Sequence, residues 1–210
     1  ENNIKRKELL LADEHQAKSK LISQLDREKK ESMKRIKTLR DETREIATAA
    51  GDGVNLADLL KPSIYEQIGQ LTAPVTGHVV QEFGLLDDEK YKIQLSHKGW
   101  RYSVRSGSPV SSIFDGKIIF IGNIPSYGHT VVIDHGDHYY SVYSHVTKIK
   151  PRLNEEIRRG QVLAEAGPAV GDYGDGIYFE IRHFSEPEDP AQWITKSQYK
   201  QASINQPFGN

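Results

Sequence analysis

The stretch PVSSIFDGKIIFIGNIPSYGHTVVIDHGDHYYSVYSH, residues 109–145, decides the fold. Its apolar residues alternate with polar ones or run together over short spans, and Gly, Asp, Asn and Pro break the runs at close intervals. That texture reads as short strands between tight turns rather than as helix. It extends outward to APVTGHVVQEF (73–83) on one side and to QVLAEAG (161–167) and GIYFEIRHF (176–184) on the other. Together these segments predict a mostly β domain over residues 73–195, roughly 120 residues and large enough for its own core.

Upstream the texture changes. Residues 1–47 contain no Gly and no Pro, and nearly half are charged. Ile4, Leu11, Leu25, Leu39 and Ile46 lie on one seven-residue spacing, interrupted by Lys18 and Ser32. A second series, Glu8, His15, Ile22, Lys29, Ile36, Thr43 and Ala50, stands beside it in the a-and-d relation of a coiled-coil seam. The expectation for residues 1–50 is a long coiled-coil helix with a weak zipper, either a solvated stalk or a partner-binding coil. Gly51 and Gly53 end it. Residues 51–72 then form a linker with two short amphipathic helices. Asn55 caps the first through Leu60, which Pro62 stops, and Ser63-Ile64-Tyr65-Glu66 has the capping-box form that opens a second toward Leu71. Their apolar residues, Leu56, Leu59, Leu60, Ile64, Tyr65 and Ile68, must pack on something, because helices this short are not stable alone. Residues 196–210 form a polar tail.

Composition sets outer bounds. The 28 Lys and Arg residues balance 29 Asp and Glu, so the basic field that drives nucleic-acid binding is absent. Without cysteine there is no disulfide framework, no thiolate zinc site and no thiol nucleophile. No apolar stretch approaches the ~20 residues of a membrane span. The N-terminal ENNIKRKELL has neither an initiator Met nor a signal-peptide core, and reads as a fragment or processed form.

The β segments also carry a resemblance. PVTGHVVQEFG (74–84), His97-Lys98-Gly99, Gly107-Ser108-Pro109-Val110, FDGKI (114–118), SYGHTVVIDHG (126–136), YYSVYSH (139–145), GQVLAEAG (160–167), GIYFEIR (176–182) and DPAQWI (189–194) occur in that order. The set resembles the lysostaphin-type (LytM) zinc endopeptidases of bacterial cell walls, which implies an antiparallel β domain. In that family the zinc is held by the His and Asp of a His-x-Gly-x-Asp motif and by the second His of a His-x-His pair. The matching positions here read His97, Arg101 and Tyr178; the first His of the pair is Gly176, and His145 matches the family's Tyr-x-His histidine. One ligand of three does not hold a catalytic zinc, and a guanidinium repels a dication. The expectation is therefore no metal, no cofactor and no catalysis. His129, His135, His138 and His183 lack the paired spacing and third ligand of a relocated site, and are expected at the surface or in structural hydrogen bonds.

Degenerate members with a coiled coil ahead of the domain and a final motif like Gly-Ile-Tyr-Phe-Glu-Ile-Arg resemble the EnvC-type activators. Those switch on N-acetylmuramoyl-L-alanine amidases during daughter-cell separation. The resemblance implies a periplasmic location, a peptidoglycan amidase as partner and a membrane division complex reached through the coiled coil, with peptidoglycan as a further candidate partner. The docking surface is expected at the former active-site groove, at His97, Lys98, Arg101, Tyr127, His145, Tyr178 and Arg182. Residues 54–71 are a candidate autoinhibitory shield over that groove; the competing expectation is that they only cap the β core. A peptidoglycan-binding module and a zinc endopeptidase with unusual ligands are the alternative functions.

Overall fold

The computed structural model describes residues 62–88, 93–168 and 174–198, together with scattered positions of a helix between residues 23 and 42. The chain divides into two units, Glu1–Lys61 and Pro62–Asn210. In the first, the Thr38 hydroxyl donates to the Lys34 carbonyl one turn back, at 3.1 Å. Of the two seam series only Ser32 and Leu39 are described; both are helical and exposed. The remaining seam positions, and the linker residues Leu56, Leu59 and Leu60, lie outside the described residues.

The second unit is built of strands β1 (His78–Gln81), β2 (Gly84–Asp88), β3 (Ile93–His97), β4 (Trp100–Ser103), β5 (Pro109–Ser111), β6 (Gly116–Ile124), β7 (Gly128–Asp134), β8 (Tyr139–Ser144), β9 (Val146–Thr147), β10 (Glu156–Ile157), β11 (Val162–Ala166), β12 (Gly176–His183) and β13 (Glu186–Glu188). The main sheet runs β1-β4-β12-β8-β7-β6-β10, with β13 also on β12; β5-β11-β9 form a second sheet and β2-β3 a third. The ladders are antiparallel, as the short turns between successive strands require.

Cross-strand register assigns the two faces of the main sheet. Ile118, Ile133, Ser141 and Ile181 form one row, and Ile121, Val131, Tyr143 and Phe179 the next. These rows face the core, where Ile118, Val131, Ile133, Tyr143, Phe179 and Ile181 are fully buried. The intervening rows, Gly122-Thr130-Ser144-Tyr178-Arg101 and Phe120-Val132-Val142-Glu180, lie on the opposite face. Thr130 and Ser144 satisfy each other there, their hydroxyls 2.9 Å apart.

Residues 62–71 belong to this unit. Ser63 caps a single 3-10 turn, Ile64–Gln67, accepting from the Tyr65 amide at 3.3 Å and donating to Asp137 at 2.6 Å. The turn is shorter than the helix expected here. Ile64 and Leu71 are fully buried, and Leu71 is tied to the C-terminal segment by hydrogen bonds with Trp193 and Thr195. Arg159 donates to the Gln70 carbonyl at 2.7 Å, and Tyr65 stacks on Tyr139 at 6.4 Å. Tyr139 stands opposite His183, whereas Ser144, five residues along β8, stands opposite Tyr178. Ile64 and Tyr65 are thus engaged at the far end of the sheet from Tyr178, and Ile68 is exposed. At the other terminus, Gln198 accepts from the Ala73 amide at 2.6 Å, so the domain reaches three residues into the polar tail.

His135 takes a structural role in this core. Nδ1 donates to the Asp115 carbonyl at 2.7 Å, which leaves Nε2 to accept from the Ser141 hydroxyl at 2.7 Å. The Ser141 oxygen lies 3.1 Å from the Tyr143 hydroxyl, which accepts from the Ile113 amide at 3.0 Å. Burial pushes the imidazole pKa down to about 4, despite the opposing pull of Asp115 and Asp134. The unfolded chain binds a proton near pH 6.5 that the folded chain refuses, so stability is complete above that pH and falls as pH drops toward 4. Denaturant unfolding should show a loss of about 3 kcal/mol across this window. His135→Gln should flatten the profile, and an unchanged slope in that variant would exclude His135 as its source.

Candidate functional site

Tyr178 is the hub. Strand β12 is paired on both sides, which sets Tyr178 opposite Arg101 of β4 and opposite Ser144 of β8. The rings of His97 and Tyr127 meet it edge-on, with centroids at 5.4 and 5.2 Å. Such T-shaped contacts match the positive edge of one ring to the negative face of another. His97 ends β3 and is oriented from behind, since Nδ1 donates to the Glu82 carbonyl at 2.8 Å.

Because strand side chains alternate, residues 178, 180 and 182 share one face. The Tyr178 hydroxyl donates to Glu180 Oε1 at 2.6 Å, and Glu180 Oε2 meets Arg182 Nε at 2.9 Å. Glu180 is only 3% exposed, so its charge stays inside because both oxygens are occupied. Burial first, and then Glu180, holds the Tyr178 phenol well above its ordinary pKa, so it remains a donor. Gly99 permits this close packing: a Cβ there would strike the Phe179 carbonyl and lie 2.7 Å from Glu180 Cγ.

Arg101 is buried to 5% exposure and donates to the Gly174 carbonyl at 3.4 Å. His145 sits one residue past Ser144 in a left-handed conformation, φ 58°. Its amide donates to the Tyr127 carbonyl at 3.0 Å and its carbonyl accepts from Gly167 at 2.8 Å. Burial, with Arg101 adding to it, pushes the His145 imidazole pKa down and keeps the ring neutral. Lys98 follows His97 and is exposed. His97, Arg101 and Tyr127 thus adjoin Tyr178 directly, Arg182 through Glu180 and His145 through Tyr127, while Lys98 is placed near them only by following His97 in the chain.

The donor set does not fit a zinc ion. Arg101 brings a cation to the centre, the Tyr178 hydroxyl is committed to Glu180, and both Glu180 oxygens are engaged. Among the described residues no three His, Cys, Asp or Glu side chains converge. Gly176 closes another route, because a Cβ there would run into the Tyr102 carbonyl, so this backbone has no room for a histidine. His129 is exposed and His183 stacks on Tyr139 at 4.1 Å, far from this cluster. A cavity of about 380 Å³ lies elsewhere, lined by Trp100 and Tyr102, which alternate with Arg101 on β4 and so point to its other face.

Sequence reasoning missed Glu180 as a working part of the site. The available signal was a carboxylate inside GIYFEIR, a strand too apolar to leave it in water.

Residues 95–190 match Peptidase family M23. The chain is 29% identical over 126 residues to the murein hydrolase activator EnvC of Escherichia coli, covering 60% of this chain and 29% of that protein. It is 27% identical over 122 residues to the murein hydrolase activator NlpD of Salmonella typhimurium, covering 58% and 30%, and 25% identical over 125 residues to the cell division protein DipM of Caulobacter vibrioides, covering 59% and 20%. The chain thus spans at most about 30% of the length of these curated relatives. Among solved structures, a zinc-containing peptidase from Vibrio cholerae superposes with a TM-score of 0.54 at 27% identity, over 59% of this chain and 39% of that one.

Removing the Glu180 carboxylate would leave the Arg182 charge and the Tyr178 hydroxyl without their partner. Glu180→Leu should lower the unfolding free energy by about 3 kcal/mol, with Glu180→Gln, which keeps an acceptor, losing less. Equal urea midpoints for wild type and Glu180→Leu would contradict the network.

Proposed function

We propose that this chain, which carries a Peptidase family M23 domain over residues 95–190, is a non-catalytic activator of a peptidoglycan N-acetylmuramoyl-L-alanine amidase. It would act in the periplasm during cell separation and bind the amidase through the face centred on Tyr178. The observation that carries this reading is that the positions the resemblance assigns to metal ligands hold Arg101 and Tyr178, paired across the strands, with Tyr178 committed to buried Glu180. A buried Arg101 paired across the strands with Tyr178, beside the Tyr127 ring, brings together residue types enriched at protein-interface hot spots. The names of the relatives EnvC and NlpD, both murein hydrolase activators, support the same reading. The coiled coil would reach a membrane division complex.

Dye-labelled peptidoglycan tests it with three samples: this chain alone, an amidase alone, and both together. Release only above the amidase level in the mixture is expected. Release by the chain alone that a chelator abolishes would restore the peptidase. Arg101 and Tyr178 are buried, so Arg101→Glu and Tyr178→Ala also cost stability; in samples that urea titration shows to be folded, each should weaken amidase binding by on the order of 2 kcal/mol in calorimetry. Wild-type affinity in both would move the interface elsewhere.

An activator of a wall-cutting enzyme needs restraint, and we propose that the segment before residue 62, with the apolar Leu56, Leu59 and Leu60, supplies it. A truncation must spare residues 62–71, because Ile64 and Leu71 are core. Deletion of residues 1–61 should tighten amidase binding; equal or weaker binding would reduce the linker to a tether.

A further inference from the structure

Seven described non-glycine residues adopt positive φ: Ser126, Asp137, His138, His145, Lys148, Asn154 and Phe184. Such conformations cost energy and gather where function over-determines the backbone. Ser126 and His145 flank Tyr127 at the Tyr178 face. Asp137, His138 and Phe184 form a second group at the opposite end of β8 and β12, joined by a 2.7 Å hydrogen bond from the Phe184 amide to the His138 carbonyl. Phe184 is the sharpest anomaly. It opens the two-residue turn Phe184–Ser185 between the paired residues His183 and Glu186, at φ 54°. Gly, Asn or Asp belongs at such a position, and a bulky residue there is an outlier. Burial does not repay the strain, because Phe184 is 58% exposed.

The anomaly produces an aromatic platform. The Phe184 ring stacks on exposed His138 with centroids 4.3 Å apart and planes 19° apart, and its side leans on His183 at 4.7 Å. His183 in turn stacks on buried Tyr139. Glu188 approaches His183 at 3.9 Å, exposed Glu186 is paired opposite His183, and Asp137 precedes His138 in the chain. Asp137 is pinned by Ser63, and Glu188 by the Trp193 indole at 3.0 Å.

We propose that this corner is a saccharide-binding platform that holds the glycan strand of peptidoglycan. The C–H face of a pyranose ring carries partial positive charge and complements the negative face of the Phe184 ring, while carboxylates accept from sugar hydroxyls. One open ring pair offers far less than the ~800 Å² per partner of a stable protein interface, but it suits a polymer that presents one ring at a time. Weak contacts of this kind gain strength when the chain is also held at the wall by its amidase. The site is separate from the Tyr178 face; the choice of peptidoglycan as its ligand rests on the function proposed above, while the contact itself needs no amidase.

Cosedimentation of the full chain with insoluble peptidoglycan, and with glycan strands stripped of their stem peptides, tests it. Phe184→Asn keeps a residue that tolerates positive φ and removes the ring; it should reduce retention on both materials about tenfold, the worth of a lost stack. Phe184→Trp should retain at least wild-type binding. Amidase stimulation on a soluble substrate should be unaltered in both, which separates failure here from failure of the activator reading. Undiminished retention of Phe184→Asn, or wild-type retention only on material that still bears stem peptides, would overturn the proposal.

Discussion

The structure of this face depends on a buried carboxylate. Glu180 lies on the strand that is paired on both sides, and at 3% exposure it can keep its charge only if both oxygens are met. Tyr178 and Arg182 meet them, and alternation along β12 puts all three on one face. Once Tyr178 is pinned by its hydroxyl, its ring becomes the fixed surface against which His97 and Tyr127 set their edges. Arg101 and Ser144 follow from strand pairing. The order of dependence runs from one charge to a whole surface.

A domain similar to Peptidase family M23 over residues 95–190 is thus organised around a centre without a metal-binding donor set among the described residues. In a zinc site the metal supplies the positive charge that gathers the ligands. Here the cations are covalently part of the chain, in Arg101 and Arg182, and the hydrogen bonds that organise the strands need no ion. The glycines are part of the same arrangement. Gly99 lets β12 approach, and Gly176 presses so closely on Tyr102 that no side chain can return. The result is a buried cation and a hydrogen-bonded phenol edged by the rings of His97 and Tyr127.

Much of this was legible in the sequence, for identifiable reasons. Strand texture in residues 109–145 pointed to the β domain, because period-two alternation and turn residues are local signals. The convergence of His97, Arg101 and Tyr178 was implied by the resemblance to the lysostaphin-type domain, whose ligand positions they match, and not by composition or periodicity. The Glu180 network was not, because a carboxylate in a strand reveals its burial only when the neighbouring strands are in place. Residues 62–71 left two readings open, a shield over the Tyr178 face or a cap on the core, for a related reason. The amphipathic pattern there identifies an apolar face but not what it meets, and Ile64 and Tyr65 met the Tyr139 end of the sheet. Phe184 left no trace at all, since only the register of β12 with β13 shows it in a turn.

The central proposal is that the face centred on Tyr178 binds a protein partner. Amide and side-chain NMR of the labelled chain, titrated with an unlabelled amidase in the presence of a chelator, addresses it most directly. The account predicts shift changes centred on His97, Arg101, Tyr127, His145 and Tyr178, undiminished by the chelator. Changes confined to other surfaces, or changes that appear only when zinc is supplied, would contradict it.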